Sequence, residues 1–285
     1  NPVAALLTWA ALNILGGGEE LADEIRDAQA ELYRAVDAQV TEWGIEHNSL
    51  GWRADAYLYC VEVTDPESGW KIPLLPTYAI AQKPKVMARL VPDETHKRYE
   101  IEIVEGVSEA EYAAAEKTGT VKDSRLVPPD GGASTPIAVI RNNLRMWEKE
   151  DFTPRSEDVF QERLYCIRWV EPIEKGKNAR HYRAPNSEDL RREKKVEELL
   201  VERFTDCQEK GFIPSRKIES GYNTDQPIRE RGWTYWHHLF TPRQLLYFGS
   251  LSQLICQYNK IGEFCQQIQV GLVTGLGKCC DLSSR

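Results

Sequence analysis

The sequence predicts an α+β protein in which a β-rich middle section lies between helices. Apolar residues recur every three or four positions from Glu19 to Trp43, which is the period of an amphipathic helix. From about 51 to 106 they alternate with polar residues, which is the period of β-strands. Thr241 followed by Pro242 marks the start of a later helix. These signals predict the order helix, sheet, helix.

Two helices are predicted before the sheet. Residues 1–14 are apolar all round, which predicts a short, almost wholly buried helix that ends at the glycines of 16–18. The second helix, over 19–43, has acidic residues in its first turn, where the helix dipole favours them. Its apolar face consists of Leu21, Ile25, Ala28, Leu32, Val36, Val40 and Trp43.

Several strands are predicted next, separated by turns rich in Pro, Gly and Asp. They are the segments YLYCVEV, KIPLLPTYAI, PKVMARLV and YEIEIVE. Ser108 and Glu111 form a capping box that opens a short helix over EAEYAAAEK. A further pair of strands is expected at GTVK and TPIAVIR, with a turn at PPDGG between them.

The second half of the chain is predicted to be mainly helical and rich in loops. LYCIRWVE is its one strand candidate, and Ser187 is expected to cap a charged helix that runs to about Phe204. Prolines and glycines in 211–232 predict loops. Further helices are expected from 241 to 259 and from 262 toward 277.

Composition limits the class of protein. The 285 residues are 41% hydrophobic and carry a formal net charge of −8, which fits a globular protein and disfavours a dedicated nucleic-acid coat, but allows a local basic face. No segment predicts a membrane span or a signal peptide, so we expect a cytoplasmic protein with no membrane partner. The seven cysteines form no C-x-x-C pair, which favours reduced, buried thiols over structural zinc.

Few residues point to chemistry by themselves. The sequence holds no glycine-rich nucleotide loop, no nucleophile elbow and no H-E-x-x-H motif. The adjacent His237 and His238 lack further ligands at the spacing of a metal site. A nuclease-like set of Glu171, Glu174 and Lys175 is a third and least favoured interpretation, since such patterns are common.

One aromatic and basic group is a candidate for nucleic-acid contact. Aromatic rings beside arginine can stack on bases and contact phosphates. The alternative is that these residues pack into the core just before a helix. The group consists of Trp233, Tyr235, Trp236 and Arg243.

Several segments resemble enzymes that methylate DNA, most specifically 1–7, 70–80 and 236–246. Asn1-Pro2-Val3-Ala4-Ala5-Leu6-Leu7 is similar to the sequence that follows the acidic, ribose-binding residue of DNA amino-methyltransferases. WKIPLLPTYAI, followed by KPKVMARLV and YEIEIVEG, resembles the adenine-specific DNA methylases that carry a zinc ribbon (the DUF1156-containing group). Trp236 followed by LFTPRQLL is also typical of that family, and GKCCDLSSR resembles its helix leading to the second half of the catalytic domain.

The resemblance implies methyl transfer from S-adenosylmethionine to adenine N6 in double-stranded DNA, with the target base flipped out of the duplex. Asn1 and Pro2 would lie beside the cofactor pocket. Trp233, Trp236 and Arg243 would contact DNA. The family's glycine-rich cofactor loop and its Asp/Asn-Pro-Pro-Tyr/Phe catalytic loop are both missing from this sequence. We therefore expect a stretch between the two halves of a methyltransferase active site and assign no catalytic residue within it.

The sequence departs from the family where its cysteine pairs should stand. The two places read 64-TDPESGW-70 and 126-LVPPDGG-132, so we expect a degenerate ribbon without zinc. Burial of four apolar residues would hold it together instead. These are Trp70, Leu74, Leu75 and Tyr78.

The resemblance divides the chain into parts of a Rossmann-like methyltransferase and its inserts. The parts are an edge helix (1–14), a helical connector (15–50), a β-rich degenerate zinc ribbon (51–147), a helical or loop insert (148–232) and helices returning to the catalytic domain (233–285). The inserts would recognise the DNA target. The alternative is a non-catalytic protein-interaction module of a phage-defence assembly, with defence-system proteins as partners.

Overall fold

The computed structural model describes residues 2–173, 176–222, 224–258 and 264–283, and these form a mixed α+β protein, as predicted. The chain separates into two compact units. Unit 1 comprises Asn1–Ile45, Arg192–Ile218 and Tyr235–Arg285. Unit 2 comprises Glu46–Arg191 and Glu219–Thr234.

Within the described residues the helices and strands follow the chain in this order. The α-helices are α1 (Pro2–Asn13), α2 (Gly18–Trp43), α3 (Glu109–Lys117), α4 (Ile137–Ile140), α5 (Ser187–Glu209), α6 (Asp225–Arg231), α7 (Pro242–Gln257) and α8 (Cys265–Ser283). The strands are β1 (Arg53–Thr64), β2 (Lys71–Leu74), β3 (Ala79–Ala81), β4 (Val86–Asp93), β5 (Arg98–Glu105), β6 (Val121–Lys122), β7 (Arg125–Leu126), β8 (Thr135–Pro136), β9 (Gln161–Glu171) and β10 (Ala179–Arg183). Short 3-10 helices cover Arg141–Asn143 and Trp236–Leu239.

Unit 1 is built on the predicted amphipathic face of α2. α8 packs against α1, α2 and α7, and α7 also contacts α2. One end of α2 buries Leu21, Ala28 and Leu32 against α7 and α8, and the other end buries Val40 and Trp43 beside α5. The predicted face is therefore confirmed, since all of its members pack into these two clusters.

The helix predicted over 1–14 forms, but its predicted burial is wrong. In α1, Leu7 is 51% exposed and Leu12 is 74% exposed, and Leu15 just beyond the helix is 83% exposed. A helix that is apolar all round has no polar side to turn outward, and α8 covers only part of it. Unit 1 therefore carries an apolar surface at α1.

Unit 2 is built around a curled seven-stranded sheet in the order β10-β9-β1-β2-β5-β4-β3. Every neighbouring pair is antiparallel except β2 and β5. The sheet curls until β10 approaches β5, where the Tyr182 N–H donates to the Glu105 carboxylate at 2.6 Å. The inner face is apolar and includes the fully buried Val86 and Cys166.

The strands predicted between 51 and 106 are confirmed, with one interruption. KIPLLPTYAI splits into β2 and β3, because Pro76 has no N–H with which to continue a ladder. The capping box of Ser108 and Glu111 forms as predicted, and α3 covers the predicted segment. Of the four residues expected to be buried here, Leu75 is buried, whereas Trp70, Leu74 and Tyr78 are partly buried.

Three other predictions need correction. TPIAVIR is a strand only at β8 and then turns into α4 and a 3-10 helix. The region 148–232, predicted as helix and loop, contributes β9 and β10 to the main sheet, although LYCIRWVE is confirmed as a strand within β9. The loops predicted for 211–232 include the helix α6.

The charged helix α5 begins as predicted but has a different cap. The side-chain carbonyl of Asn186 accepts hydrogen bonds from the N–H groups of Glu188 at 2.8 Å and Asp189 at 3.0 Å. The Asp189 carboxylate in turn accepts from the Asn186 N–H at 2.8 Å. The predicted cap, Ser187, is instead the first helical residue. At α7 the predicted cap, Thr241, is confirmed, with Gln244 completing a capping box.

Candidate functional site

The residues predicted to contact DNA belong to different units. Trp233 lies in unit 2, whereas Trp236 and Arg243 lie in unit 1. Their surroundings differ in burial and charge, so each is described in its own unit.

Arg243 is a buried residue of unit 1, only 5% exposed. Its guanidinium forms an ion pair with Glu193 and donates to the Ile45 carbonyl at 3.3 Å and to the Tyr247 hydroxyl at 3.1 Å. These contacts tie the first turn of α7 to α5 and to the end of α2. In this conformation Arg243 presents no charge to solvent, and a direct phosphate contact would require it to leave Glu193.

The turn before α7 is held by two histidines that are both 0% exposed. The His237 ring packs edge-on against Phe204 at 5.2 Å, and its Nδ1 lies 3.3 Å from the Gln208 amide nitrogen. The Nδ1 of His238 accepts the Tyr235 N–H at 3.2 Å. Trp236, on the same turn, is 38% exposed. Of the three predicted contact residues, Trp236 alone therefore offers an exposed ring.

Trp233 is a buried residue of unit 2, 9% exposed. Its ring meets Trp147 edge-on at 6.2 Å, and the neighbouring Thr234 hydroxyl donates to the Trp147 carbonyl. Gly232 has φ +74°, and a Cβ there would collide with the Arg145 carbonyl. The segment 145–147 thus packs closely against the residues that follow α6, and position 232 requires glycine.

Arg145 holds two carboxylates beside this tryptophan pair. Its guanidinium pairs with Asp151 at 2.7 Å and with Asp158 at 2.6 Å, and both carboxylates are less than a tenth exposed. Burial raises the pKa of Asp151, but hydrogen bonds from Arg145 and the Glu148 N–H outweigh it and leave that pKa below its usual range. The same carboxylates raise the pKa of Arg145, so the group stays fully ionised.

A groove of about 700 Å³ in unit 2 opens beside the ends of β1 and β9. Val63, Ile140 and Val159 give it an apolar floor. Polar side chains also line the groove, and three of them are acidic. They are Glu62, Thr64, Lys71, Asn142, Asn143, Ser156, Glu157, Asp158 and Gln161. Its volume suits a small polar ligand or a short segment of a larger one.

The first of the two places where the resemblance expects cysteine pairs is hydrogen-bonded to β8, which follows the second place along the chain. Asp65 is 1% exposed, and its carboxylate accepts from the Ser68 hydroxyl at 2.6 Å and from the Thr135 hydroxyl at 3.1 Å. Leu126, from the second place, is fully buried in the same cluster as Val63 and Ile72. Among the described residues, no group of three or more His, Cys, Asp or Glu side chains could hold a metal ion. The absence of zinc stays a prediction.

The cofactor prediction receives no support from the described residues. Asn1 lies outside them, and Pro2 is the first residue of α1. The binding of S-adenosylmethionine therefore stays a prediction. In the nuclease-like set, Glu174 and Lys175 lie outside the described residues, and Glu171 pairs with His181 at 2.8 Å.

Sequence reasoning missed the Arg145 network and the strand β10. A signal for the network was present, since Arg145, Asp151, Arg155 and Asp158 alternate in charge within fourteen residues of a loop. For β10 the signal was weak, because ARHYR has no apolar alternation. Both features are local in the chain, since Arg145 pairs with carboxylates of its own loop and β10 forms a hairpin with β9.

The fold and the site define the class of protein only broadly. It is an α+β protein with one helical unit and one unit built on a curled, mixed sheet. No described helix has the length and apolar character that crossing a membrane requires. Comparisons with protein-family models, with curated proteins and with solved structures find no match for this chain. The resemblance to DNA methylases therefore stays a prediction.

Proposed function

We propose that this chain is the target-recognition part of an S-adenosylmethionine-dependent DNA adenine-N6 methyltransferase. The division into units is the observation that carries the proposal. Residues 1–7 and 236–246, which resemble the family's catalytic domain, both belong to unit 1, while 70–80 belongs to unit 2. A catalytic domain interrupted by a recognition insert is expected to separate these segments in this way, and here unit 1 also takes Arg192–Ile218 from the predicted insert.

In this proposal unit 2 is the degenerate zinc ribbon together with the strands that follow it. The hydrogen bond from the Thr135 hydroxyl to Asp65 ties the first of the two places to β8, which follows the second place along the chain. A buried carboxylate with satisfied acceptors can hold two segments together without a metal. The helices of unit 1 would lie against a Rossmann-like sheet.

The chain's own contribution would be to bind and orient DNA. Trp236 offers an exposed ring on which a base could stack. Arg243 would act as a positioning residue, because its ion pair with Glu193 holds in place the turn that carries Trp236. S-adenosylmethionine would supply the methyl group and would be bound by other segments of the enzyme.

DNA binding by the purified chain tests the proposal. We expect the affinity for an adenine-containing duplex to fall steeply between 50 and 200 mM salt, as phosphate contacts require (about tenfold or more for several contacts). Trp236→Ala should weaken binding several-fold. Tyr33→Ala, which removes another exposed ring from unit 1 (65% exposed), should leave it unchanged. Absence of salt-dependent binding would contradict the proposal.

The exposed surface of α1 favours a second candidate, a protein-interaction module. Leu7, Leu12 and Leu15 expose large apolar side chains near one another in the sequence. A partner from a defence assembly could cover them. Stable complex formation with such a partner, together with no affinity for DNA, would favour this alternative.

A further inference from the structure

Three arginines lie near the end of α6. Arg229 and Arg231 lie in the last turn of α6, and Arg141 comes from the 3-10 helix that follows α4. Glu230 is the carboxylate that meets them, 3.3 Å from Arg141 and 3.6 Å from Arg229. Two guanidiniums therefore share one carboxylate in a protein whose net charge is −8.

Arg231 is the third guanidinium, and its surroundings are aromatic. It lies over the Phe160 ring at 5.0 Å and near the Trp233 ring at 5.7 Å. Within the ranges that the structure describes, it has neither a hydrogen bond nor an ion pair. Burial lowers the pKa of Arg231, and the nearby charge of Arg141 adds to this, while Glu162 and Glu230 oppose it. A stacked cation with unused N–H groups is a strong donor to an anion.

Arg141 also has hydrogen-bonding capacity left over. Its Nε is buried and has no partner among the described residues. Its terminal nitrogen donates to Glu230 at 3.3 Å, which is a long contact for a charged pair. Buried donors are normally satisfied by protein, water or ligand, so an orphaned one beside a second cation marks a place for an acceptor.

The charges around the three arginines are balanced, since three carboxylates, Glu162, Glu230 and Asp225, act on Arg141, Arg229 and Arg231. An anion here would therefore be held by directed hydrogen bonds rather than by an excess of positive charge. The end of a helix favours cations but not anions, so any anion here must be held by the guanidiniums themselves. Guanidiniums match the oxygen spacing of phosphate by donating two parallel bonds.

We propose that Arg231, with Arg141 and Arg229, binds a phosphate of the DNA backbone at the end of α6. This inference rests on the proposed function, because in that function DNA is the source of the phosphate. In this arrangement the Trp233 ring packs against Arg231 and does not itself contact DNA. A backbone phosphate carries no sequence information, so this contact would position the duplex and leave base recognition to other residues.

Binding of a labelled duplex at several salt concentrations tests the proposal. We expect Arg231→Met to weaken binding about tenfold at low salt and to reduce the slope of log affinity against log salt by about one. Arg229→Met, on a side chain that is 72% exposed, should act in the same direction without disturbing the fold. Arg231→Lys should keep most of the slope but lose affinity, since an ammonium makes no paired bonds.

Arg89→Met is the matched control, because Arg89 is an exposed arginine of unit 2 that faces Glu102 at 3.9 Å. It should change neither affinity nor slope. Thermal denaturation of each variant, with and without inorganic phosphate, supplies a second readout. Phosphate should raise the melting temperature of the wild type more than that of Arg231→Met.

The outcomes separate this inference from the proposed function. If the wild type binds DNA and the Arg229 and Arg231 variants bind equally well, the phosphate site is wrong and the proposed function stands. If inorganic phosphate stabilises through Arg231 but DNA does not bind, the oxyanion does not come from DNA, and both proposals fail. If neither binds, both fail as well.

Discussion

Asp151 is held in its ionised form by neighbours that would each lose a partner if it were protonated. Its carboxylate accepts from Arg145 at 2.7 Å, from the Glu148 N–H at 2.7 Å and from Arg155 at 3.0 Å. These bonds hold the pKa of Asp151 below its usual range even though burial raises it. The ion pairs connect residues within the 145–158 loop. This loop contains Trp147 and lies beside the groove of unit 2.

A lowered carboxyl pKa gives a pH dependence of known sign. The stabilisation is fully present above the unfolded pKa, near 4, and is lost as the pH falls through the lower folded value. We expect Asp151→Asn to reduce the free energy of unfolding at pH 7 by about 3 kcal/mol, because Arg145 loses a buried partner. The variant should also lose less stability than the wild type below about pH 4.

Urea denaturation between pH 3 and pH 7 measures both effects. Asp123→Asn, at an exposed turn, is the control and should follow the wild type. Parallel curves for the wild type and Asp151→Asn would show that the network does not stabilise the fold.

Cysteine reactivity should follow burial. Burial raises the pKa of Cys60 and of Cys166 to about 12, whereas Cys256 and Cys279 are exposed. Since the thiolate is the reactive form, we expect iodoacetamide at pH 8 to modify Cys256 and Cys279 in the native protein. Cys60 and Cys166 should react only after denaturation. Peptide mass spectrometry measures this, and equal rates at Cys166 and Cys279 would contradict the structure.

For individual residues, the sequence shows which residue types are present but not which other residues they contact. Arg243 and Trp233 have the chemistry of a DNA contact, yet Arg243 is neutralised by Glu193, fifty residues earlier, and Trp233 packs on Trp147. Nothing local to 233–243 indicates either partner. Trp236, which the same pattern singled out, is exposed.

The elements with strong local signals were predicted well. α2, α3 and α7 carry a full apolar face or a capping box, and β4 and β5 alternate over eight residues each. The elements that were missed are short or depend on distant pairing. TPIAVIR is rich in β-branched residues, but only Thr135 and Pro136 pair with β7, and the helix that follows overrides local preference.

The start of α5 offers a direct test between the predicted and observed caps. Asn186→Ala should lower the free energy of unfolding by about 1 kcal/mol, because the first-turn N–H groups of Glu188 and Asp189 lose their acceptor. Ser187→Ala, one residue later, should change stability little, since Ala is a good helix former. Chemical denaturation measures both variants. A larger loss at Ser187 would restore the cap that the sequence alone predicts.

The whole molecule could not be assembled from the sequence, because its two units interleave along the chain. Unit 1 takes residues from three separated stretches, and α5 crosses from one unit into the other at Arg192. The predicted boundary at 147/148 falls inside unit 2, since β9 pairs with β1 along most of its length. β1 and β9 are about a hundred residues apart in the chain, and their pairing keeps both strands in unit 2. No local sequence pattern shows that these two strands pair.

The exposed surface of α1 predicts how the whole molecule behaves in solution. Apolar side chains clustered on a helix tend to find a second apolar surface, and a second copy is always available. We expect self-association that increases with concentration over the micromolar range. Leu7→Ser together with Leu12→Ser should shift the protein toward monomer without unfolding it, because both side chains are already more than half exposed.

Sedimentation velocity at several concentrations measures this association. Val201→Ser is the matched control, since Val201 is 64% exposed on α5, away from α1 in the sequence. Its removal should leave the association unchanged. A wild type that stays monomeric at all concentrations would mean that α8 covers enough of α1 to keep it soluble. The interaction-module alternative would then lose the surface on which it depends.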